Sequence, residues 1–213
     1  MSAPRLPLQD LEVDALTELI NLGVSRAAGS LRDMIGEQVH LTVPSVAFVS
    51  RVKAIEILGQ NASKRLVAVH QVFDGDIAGR ALLIFPEAKS LQLVKAVTSA
   101  DLSLDDIIEL EHEALAETGN IILNSCLATM ANELKRTLKI SLPEILRGDG
   151  STLFNLPPPP AAGEVVMFVH INFEVRQRDI DGYIAMLMDL PSLTALQALL
   201  ADYIHRTTTD PKH

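Results

Sequence analysis

The stretch DALTELIN at residues 14–21 returns 99 positions later as EALAETGN at residues 113–120. Under the same shift LTVPSV, residues 41–46, falls on ISLPEI, residues 140–145, so a helix followed by a strand with one proline is written twice. In the first copy Asp14, Glu18, Asn21 and Ser25 stand at i, i+4, i+7 and i+11, a spacing that keeps side chains on one helical stripe. Glu113, Glu117, Asn120 and Asn124 repeat it in the second. Around the stripes lie Leu16, Leu19, Ile20 and Val24 in one copy and Leu115, Ile122, Leu123 and Leu127 in the other, so each stripe is a narrow polar seam on a largely buried helix. The helices are predicted from about Leu11 to Ile35 and Leu104 to Leu138. Gly36 would stop the first, and Ser103 with Asp106 would cap the second, where Asp105 and Asp106 suit the positive end of the dipole.

Working outward at a shift of 100, VAVHQVF at 67–73 falls on MFVHINF at 167–173, both strand-like in their β-branched and aromatic content. Further strands are expected at Arg80 to Phe85 and Tyr183 to Met188, with turns at Asp74-Gly75-Asp76 and Asp181-Gly182 before them. Helices opened by proline follow at Pro86 to Thr98 and Pro191 to Ile204. The connection Leu146 to Gly163, containing Pro157 to Pro160, reads as an extended, exposed loop. A junction between halves is sought near Ala100 to Leu102. Each half thus reads helix, strand, irregular connection, strand, strand, helix. Three strands in each half are few for a sheet, so the two sets are expected to join, and the expected fold class is α/β. A pseudo-two-fold repeat of helix-strand-strand-strand-helix would form one mainly antiparallel sheet with two long helices across it. The expected organisation is a single domain, 1–213, with halves of about 10–100 and 103–205.

Composition narrows the function. The chain has 213 residues, 48% of them apolar, and 27 acidic against 18 basic side chains give a charge of −9. That is globular, and the negative excess opposes the counterion release that drives nucleic-acid binding. Aromatics are 4% with no Trp, which disfavours a base-stacking surface. Cys126 is the sole cysteine, so an internal disulfide is excluded and a reducing, cytoplasmic setting is expected. No signal peptide and no membrane span is read from the sequence. Gly-rich phosphate loops, Gly-x-Ser-x-Gly and dinucleotide fingerprints are absent.

Asn is a poor residue for a helix interior, yet it recurs at one place in both copies. At roughly one in twenty usage per residue, Glu-x2-Asn followed after 22 residues by Pro arises about once in 8,000 starts, so its double occurrence is not composition noise. At these residues the chain resembles the CheC, CheX and FliY phosphatases of bacterial chemotaxis, which act on the phosphorylated response regulator CheY. Their motif is Asp or Ser, three residues, Glu, two residues, Asn, then Pro after 22 more. Asp14, Glu18, Asn21 and Pro44 match it; Glu117, Asn120 and Pro143 match in the second copy, where Glu113 replaces Asp or Ser. The order of elements in both copies is also that of CheC, so the fold expectation is CheC-like.

The resemblance implies catalysis by Asn21 and Asn120, each orienting the water that attacks the aspartyl phosphate, with Glu18 and Glu117 pairing with the partner's active-site lysine. Asp14 and Glu113 would assist docking. No cofactor of its own is implied: Mg²⁺ would be supplied by the partner receiver domain. The implied partners are a phosphorylated CheY-like response regulator and a CheD-like deamidase, and a monomer is expected because two copies are already fused. The chief alternative is a non-catalytic adaptor that binds phosphorylated receivers or a CheD-like regulator. A flagellar-switch component like FliY is disfavoured because two repeats leave no room for a further domain.

Gly119 would either admit a partner backbone or relieve packing. Pro44 and Pro143 would shape the strand exit. His70 and His170 could form a symmetric pair across the sheet, with structural roles favoured over metal or pH sensing. Cys126 reads as a small core residue.

Overall fold

Left-handed backbone at Gly36 (φ 74°) ends the first long helix, α1 (Asp10–Ile35), with the Gly36 N–H donating to the Arg32 carbonyl at 2.8 Å. A Cβ would be strained at that φ, which is why the helix stops at glycine. In the computed structural model, which describes residues 8–60, 65–97, 104–155, 165–175 and 178–209, the chain continues as β1 (Val39–Ser50), α2 (Arg51–Gln60), β2 (Leu66–Gly75), β3 (Gly79–Pro86) and α3 (Glu87–Val97). The order then repeats as α4 (Leu104–Glu133), β4 (Leu138–Ile140), β5 (Glu144–Gly148), α5 (Gly150–Phe154), β6 (Val165–Val175), β7 (Arg178–Met188) and α6 (Leu190–Thr209).

These strands form one seven-stranded sheet in the order β1-β6-β7-β3-β2-β4, with β5 also on β2, and each pairing is antiparallel. The hairpins β2–β3 and β6–β7 meet edge to edge at β3 and β7. The outer strands are exchanged: β1 of the first half pairs with β6 of the second, and β4 and β5 of the second pair with β2 of the first. One face, through Val67, Val69, Phe73, Met167, Val169 and Phe173, packs on α1 and α4. The other, through Leu66, Ala68, Leu82, Ile84, Val166 and Phe168, packs on Ala54 and Leu58 of α2 and Leu153 and Phe154 of α5. Burial on both faces explains why the central strands read as unbroken apolar runs. Each fully buried Leu or Phe contributes about 1.5–3 kcal/mol.

Several boundaries differ from the sequence reading. The second helix ends at Glu133, not Leu138; Lys135 takes a positive φ of 55°, and Leu138–Ile140 pairs with Phe73–Gly75, since sheet pairing outweighs the helical periodicity there. The connection after β1 is helical (α2), and Leu146 to Gly163 is not an extended loop throughout. Leu146–Gly148 completes β5, and the Asp149 carboxylate accepts from the Thr152 N–H at 2.7 Å to start α5, whose Leu153 and Phe154 are buried. Asp181-Gly182 is no turn. It lies inside β7 opposite Asn172 and Ile171, where a Cβ on Gly182 would stand 2.5 Å from the Phe85 ring. His70 and His170 do not pair, because β7 and β3 separate their strands. Ser103, the run Pro157 to Pro160 and the junction Ala100 to Leu102 lie outside the described residues, as does the Asp105 and Asp106 capping chemistry.

The two long helices touch where Gly23 of α1 faces Cys126 of α4, and a Cβ on Gly23 would stand 2.7 Å from the Cys126 Cα. Backbone yields less readily than a side-chain tip. Gly23→Val is therefore expected to destabilise the fold by about 1–3 kcal/mol in urea unfolding; an unchanged midpoint would mean that the helices do not rely on this contact.

Candidate functional site

α1 and α4 set the two stripes on the outside of the helical layer. Asp14, Glu18 and Ser25 are exposed and Asn21 is half-buried on α1; Glu113 and Glu117 are exposed and Asn120 and Asn124 half-buried on α4. Apolar neighbours turn the other way: Leu16, Leu19 and Ile20 on α1, and Leu115, Ile122 and Leu123 on α4, are at most 1% exposed. The stripe of each copy is thus brought together by one rigid helix. Among the described residues Asp14, Glu18, Glu113 and Glu117 make no ion pair, so four carboxylates are available to a cation from outside. Tyr203 of α6 flanks the first stripe; burial raises its phenol pKa, as do the nearby charges of Glu133 and Glu18.

The motif prolines interrupt strands. Pro44 lies in the register shift of β1 between Thr42 and Ser45, and Pro143 lies in the gap between β4 and β5. Proline cannot donate to a ladder, so both positions break it. The second break exposes Leu142 (86%) and turns Ser141 so that its carbonyl accepts from Gln71 Nε2 at 3.0 Å.

Gln71 is the residue that sequence reasoning missed. It is fully buried on β2, and its Nε2 also lies within hydrogen-bond reach of Asn120 Oδ1 at 3.1 Å and Asn124 Oδ1 at 3.3 Å, so its two N–H groups are shared among three acceptors, while Asn124 Nδ2 donates to Asn120 Oδ1 at 2.8 Å. Its own Oε1 is buried with no partner among the described residues, a state that costs about 1–3 kcal/mol. The available signal was a Gln inside the apolar run VAVHQVF at the place where the other copy has Ile171. Gly119 makes the contact reachable. A Cβ there would stand 2.4 Å from a Val69 methyl, so glycine lets α4 settle onto β2, which decides between the two readings of Gly119 in favour of packing. Its counterpart is Ile20, buried in α1.

Cys126 is buried, and burial pushes its thiol pKa up to about 12, as suits a core residue and not a nucleophile. No three His, Cys, Asp or Glu side chains converge as a metal-binding group among the described residues. No helix among them is long and apolar enough to cross a membrane. An open cleft lined by Ser25, Gly29, Arg32, Gly36 and Gln38 lies toward the C-terminal end of α1, beyond Asn21.

No family model matches the chain. The CheY-P phosphatase CheC of Bacillus subtilis (strain 168) is 24% identical over 196 residues, covering 89% of this chain and 93% of that protein. In structure the chain is similar to Thermotoga maritima FliY, with a TM-score of 0.71 at 18% identity over 93% of this chain and 100% of the other. It is also similar to the FliM middle domain from H. pylori, with a TM-score of 0.59 at 12% identity over 90% and 99%. The fold is therefore one that this chain shares with those two structures. The curated relatives support the CheC-type chemotaxis phosphatase family, in agreement with the resemblance carried by Asp14, Glu18, Asn21 and Pro44.

His70 faces the opposite layer, 3.6 Å from Glu144. Burial lowers its pKa below the ordinary 6.5, outweighing the upward pull of Glu144, and Arg80 adds to the lowering. The folded state holds the ring neutral while the unfolded chain protonates near 6.5, so this contribution is full above that pH and is lost as pH falls through it toward the folded value. His70→Leu should therefore show a shallower drop in urea midpoint between about pH 7.5 and 5.5; an equal drop would exclude His70 as its source.

Proposed function

We propose that this chain is a phosphatase of phosphorylated CheY-like receiver domains, hydrolysing their aspartyl phosphate. The observation that carries the reading is the pairing, on each of two rigid helices, of unpaired exposed carboxylates with a half-buried Asn one to two turns away. It is supported by a relative, similar over nearly the whole chain, that is itself named a CheY-P phosphatase.

The chemistry asks little of such a chain. A receiver holds its phosphoryl group beside its own Mg²⁺ and lysine, so the phosphatase has to place water in line with the phosphorus and hold the pose. The Asn21 carboxamide oxygen accepts a hydrogen bond from that water, leaving a water lone pair directed at phosphorus. Attack breaks the acyl-phosphate P–O bond, releasing inorganic phosphate and the partner's aspartate carboxylate. Glu18 and Glu117 pair with the partner's lysine through a charge-assisted bond, and Asp14 and Glu113 add docking contacts. Asn120 is the corresponding carboxamide of the second site. The metal and its ligands belong to the substrate protein, so no deep pocket is required here. Exposed Leu22 and Leu142 supply apolar contact beside the stripes.

The test is the rate of phosphate loss from a panel of phosphorylated receivers with Mg²⁺, using wild type, Asn21→Ala, Asn120→Ala and the double variant. Wild type is expected to accelerate it, and the double variant to lose at least about 100-fold of that acceleration, the scale for a group that positions reactants. A receiver that binds the wild-type chain yet loses phosphate no faster would overturn catalysis in favour of an adaptor.

A further inference from the structure

The two stripes repeat in sequence but differ in what stands behind them. Behind Asn120 is Gln71, and its orientation is set by the Ser141 carbonyl, which can only accept, so the Gln71 nitrogen must face the cluster. A nitrogen donor at 3.1 Å requires Asn120 to turn its oxygen inward, and Asn124 Nδ2 supplies a second donor at 2.8 Å. Both lone pairs of Asn120 Oδ1 are then engaged by the chain itself. What Asn120 offers outward is its NH₂.

Behind Asn21 none of this exists. The residue repeating Gln71 is Ile171, the residue repeating Asn124 is Ser25, and no hydrogen bond reaches the Asn21 carboxamide among the described residues. Gly119 lets α4 sit against Val69, whereas Ile20 occupies the matching place on α1. The buried Gln71 Oε1, without a partner among the described residues, marks this position as one that stability alone would fill with an apolar side chain.

We propose that Gln71 is a positioning residue that holds Asn120 as a fixed hydrogen-bond donor, so that the second site acts by donating to a phosphoryl oxygen while Asn21 at the first accepts from the attacking water. The proposal rests on the phosphatase reading and assigns the two sites different parts in one reaction class. A carboxamide whose oxygen is engaged cannot accept from water, but its N–H groups stabilise the negative charge on the transferring phosphoryl group. Preorganisation by Gln71 removes the rotation that would otherwise present oxygen and nitrogen in turn.

The experiment uses the whole chain and a phosphorylated CheY-type receiver with Mg²⁺, in an Asn21→Ala background where only the second site remains. Gln71→Met keeps the shape and removes the donor. It is expected to lower kcat about tenfold with KM within about twofold, and to leave the urea midpoint equal or higher, which a merely structural Gln71 would not. Combined with Asn120→Ala in the otherwise wild-type chain, the Gln71→Met effect should be non-additive. Unchanged kcat in the Asn21→Ala background would overturn the proposal, as would complete loss of turnover in Asn21→Ala itself, or full additivity with Asn120→Ala. Each of those leaves the phosphatase reading standing, because it is judged by wild type alone. A wild-type chain that accelerates no receiver would overturn both.

Discussion

Among the described residues β1 forms its ladder only with β6, a strand that lies more than a hundred residues further along the chain. That ladder, with its mirror in the pairing of β4 and β5 on β2, ties each half to the other, because each half keeps a central hairpin but gives its outer strand away. An unpaired strand edge in water exposes N–H and C=O groups and an apolar face together. The helices depend on the same exchange: α1 and α4 lie on a surface assembled from Val67, Val69, Val169 and Phe173, which neither half supplies alone. The positions of both stripes follow from a pairing formed late in the chain's length.

On that shared surface small differences in side-chain size have chemical consequences. Glycine at 119 lowers α4 onto Val69 and brings Asn120 within 3.1 Å of a buried amide. Isoleucine at 20 fills the corresponding space with a methyl-bearing chain, and a strand Ile replaces the Gln beneath. A duplicated motif therefore need not mean a duplicated environment. The exposed residues of the two stripes are alike in type, while the residues behind them differ.

The repeat, the long helices and the mainly antiparallel sheet were legible in the sequence because period-3.6 and strand-like apolar patterns recur in register. Boundaries governed by tertiary pairing were not. Leu138 continues the helical pattern of α4 and yet joins a strand, since three ladder partners on β2 outweigh one more helical turn. Asp181-Gly182 has the composition of a turn, but its glycine is there to clear the Phe85 ring. The short helices α2 and α5 bury few side chains each, so their periodicity is too brief to read. At the candidate site the outward-facing stripe was visible as spacing on a helix. Gln71 was not, because a contact between residues 49 apart leaves no local pattern beyond one polar letter in an apolar strand.

On the proposed reading the site is completed by its partner, which places a different demand on a fold from one that encloses a substrate. Depth is unnecessary, but angular precision is not, since a group displaced by about 1 Å forfeits much of its catalytic effect. Mid-helix positions on α1 and α4, backed by the core beneath Leu16, Ile20, Leu115 and Ile122, provide that precision without a cavity. Exposed, and without an ion pair among the described residues, Glu18 and Glu117 avoid the desolvation that a buried carboxylate suffers. Two polar side chains beside the second site lie wholly in the core, Gln71 and Thr118; among the described residues neither the Gln71 oxygen nor the Thr118 hydroxyl has a hydrogen-bond partner, and a sheet buried on both faces holds the Gln71 strand in place. Rigidity drawn from a two-sided core is thus what allows a shallow surface to carry a directional hydrogen bond.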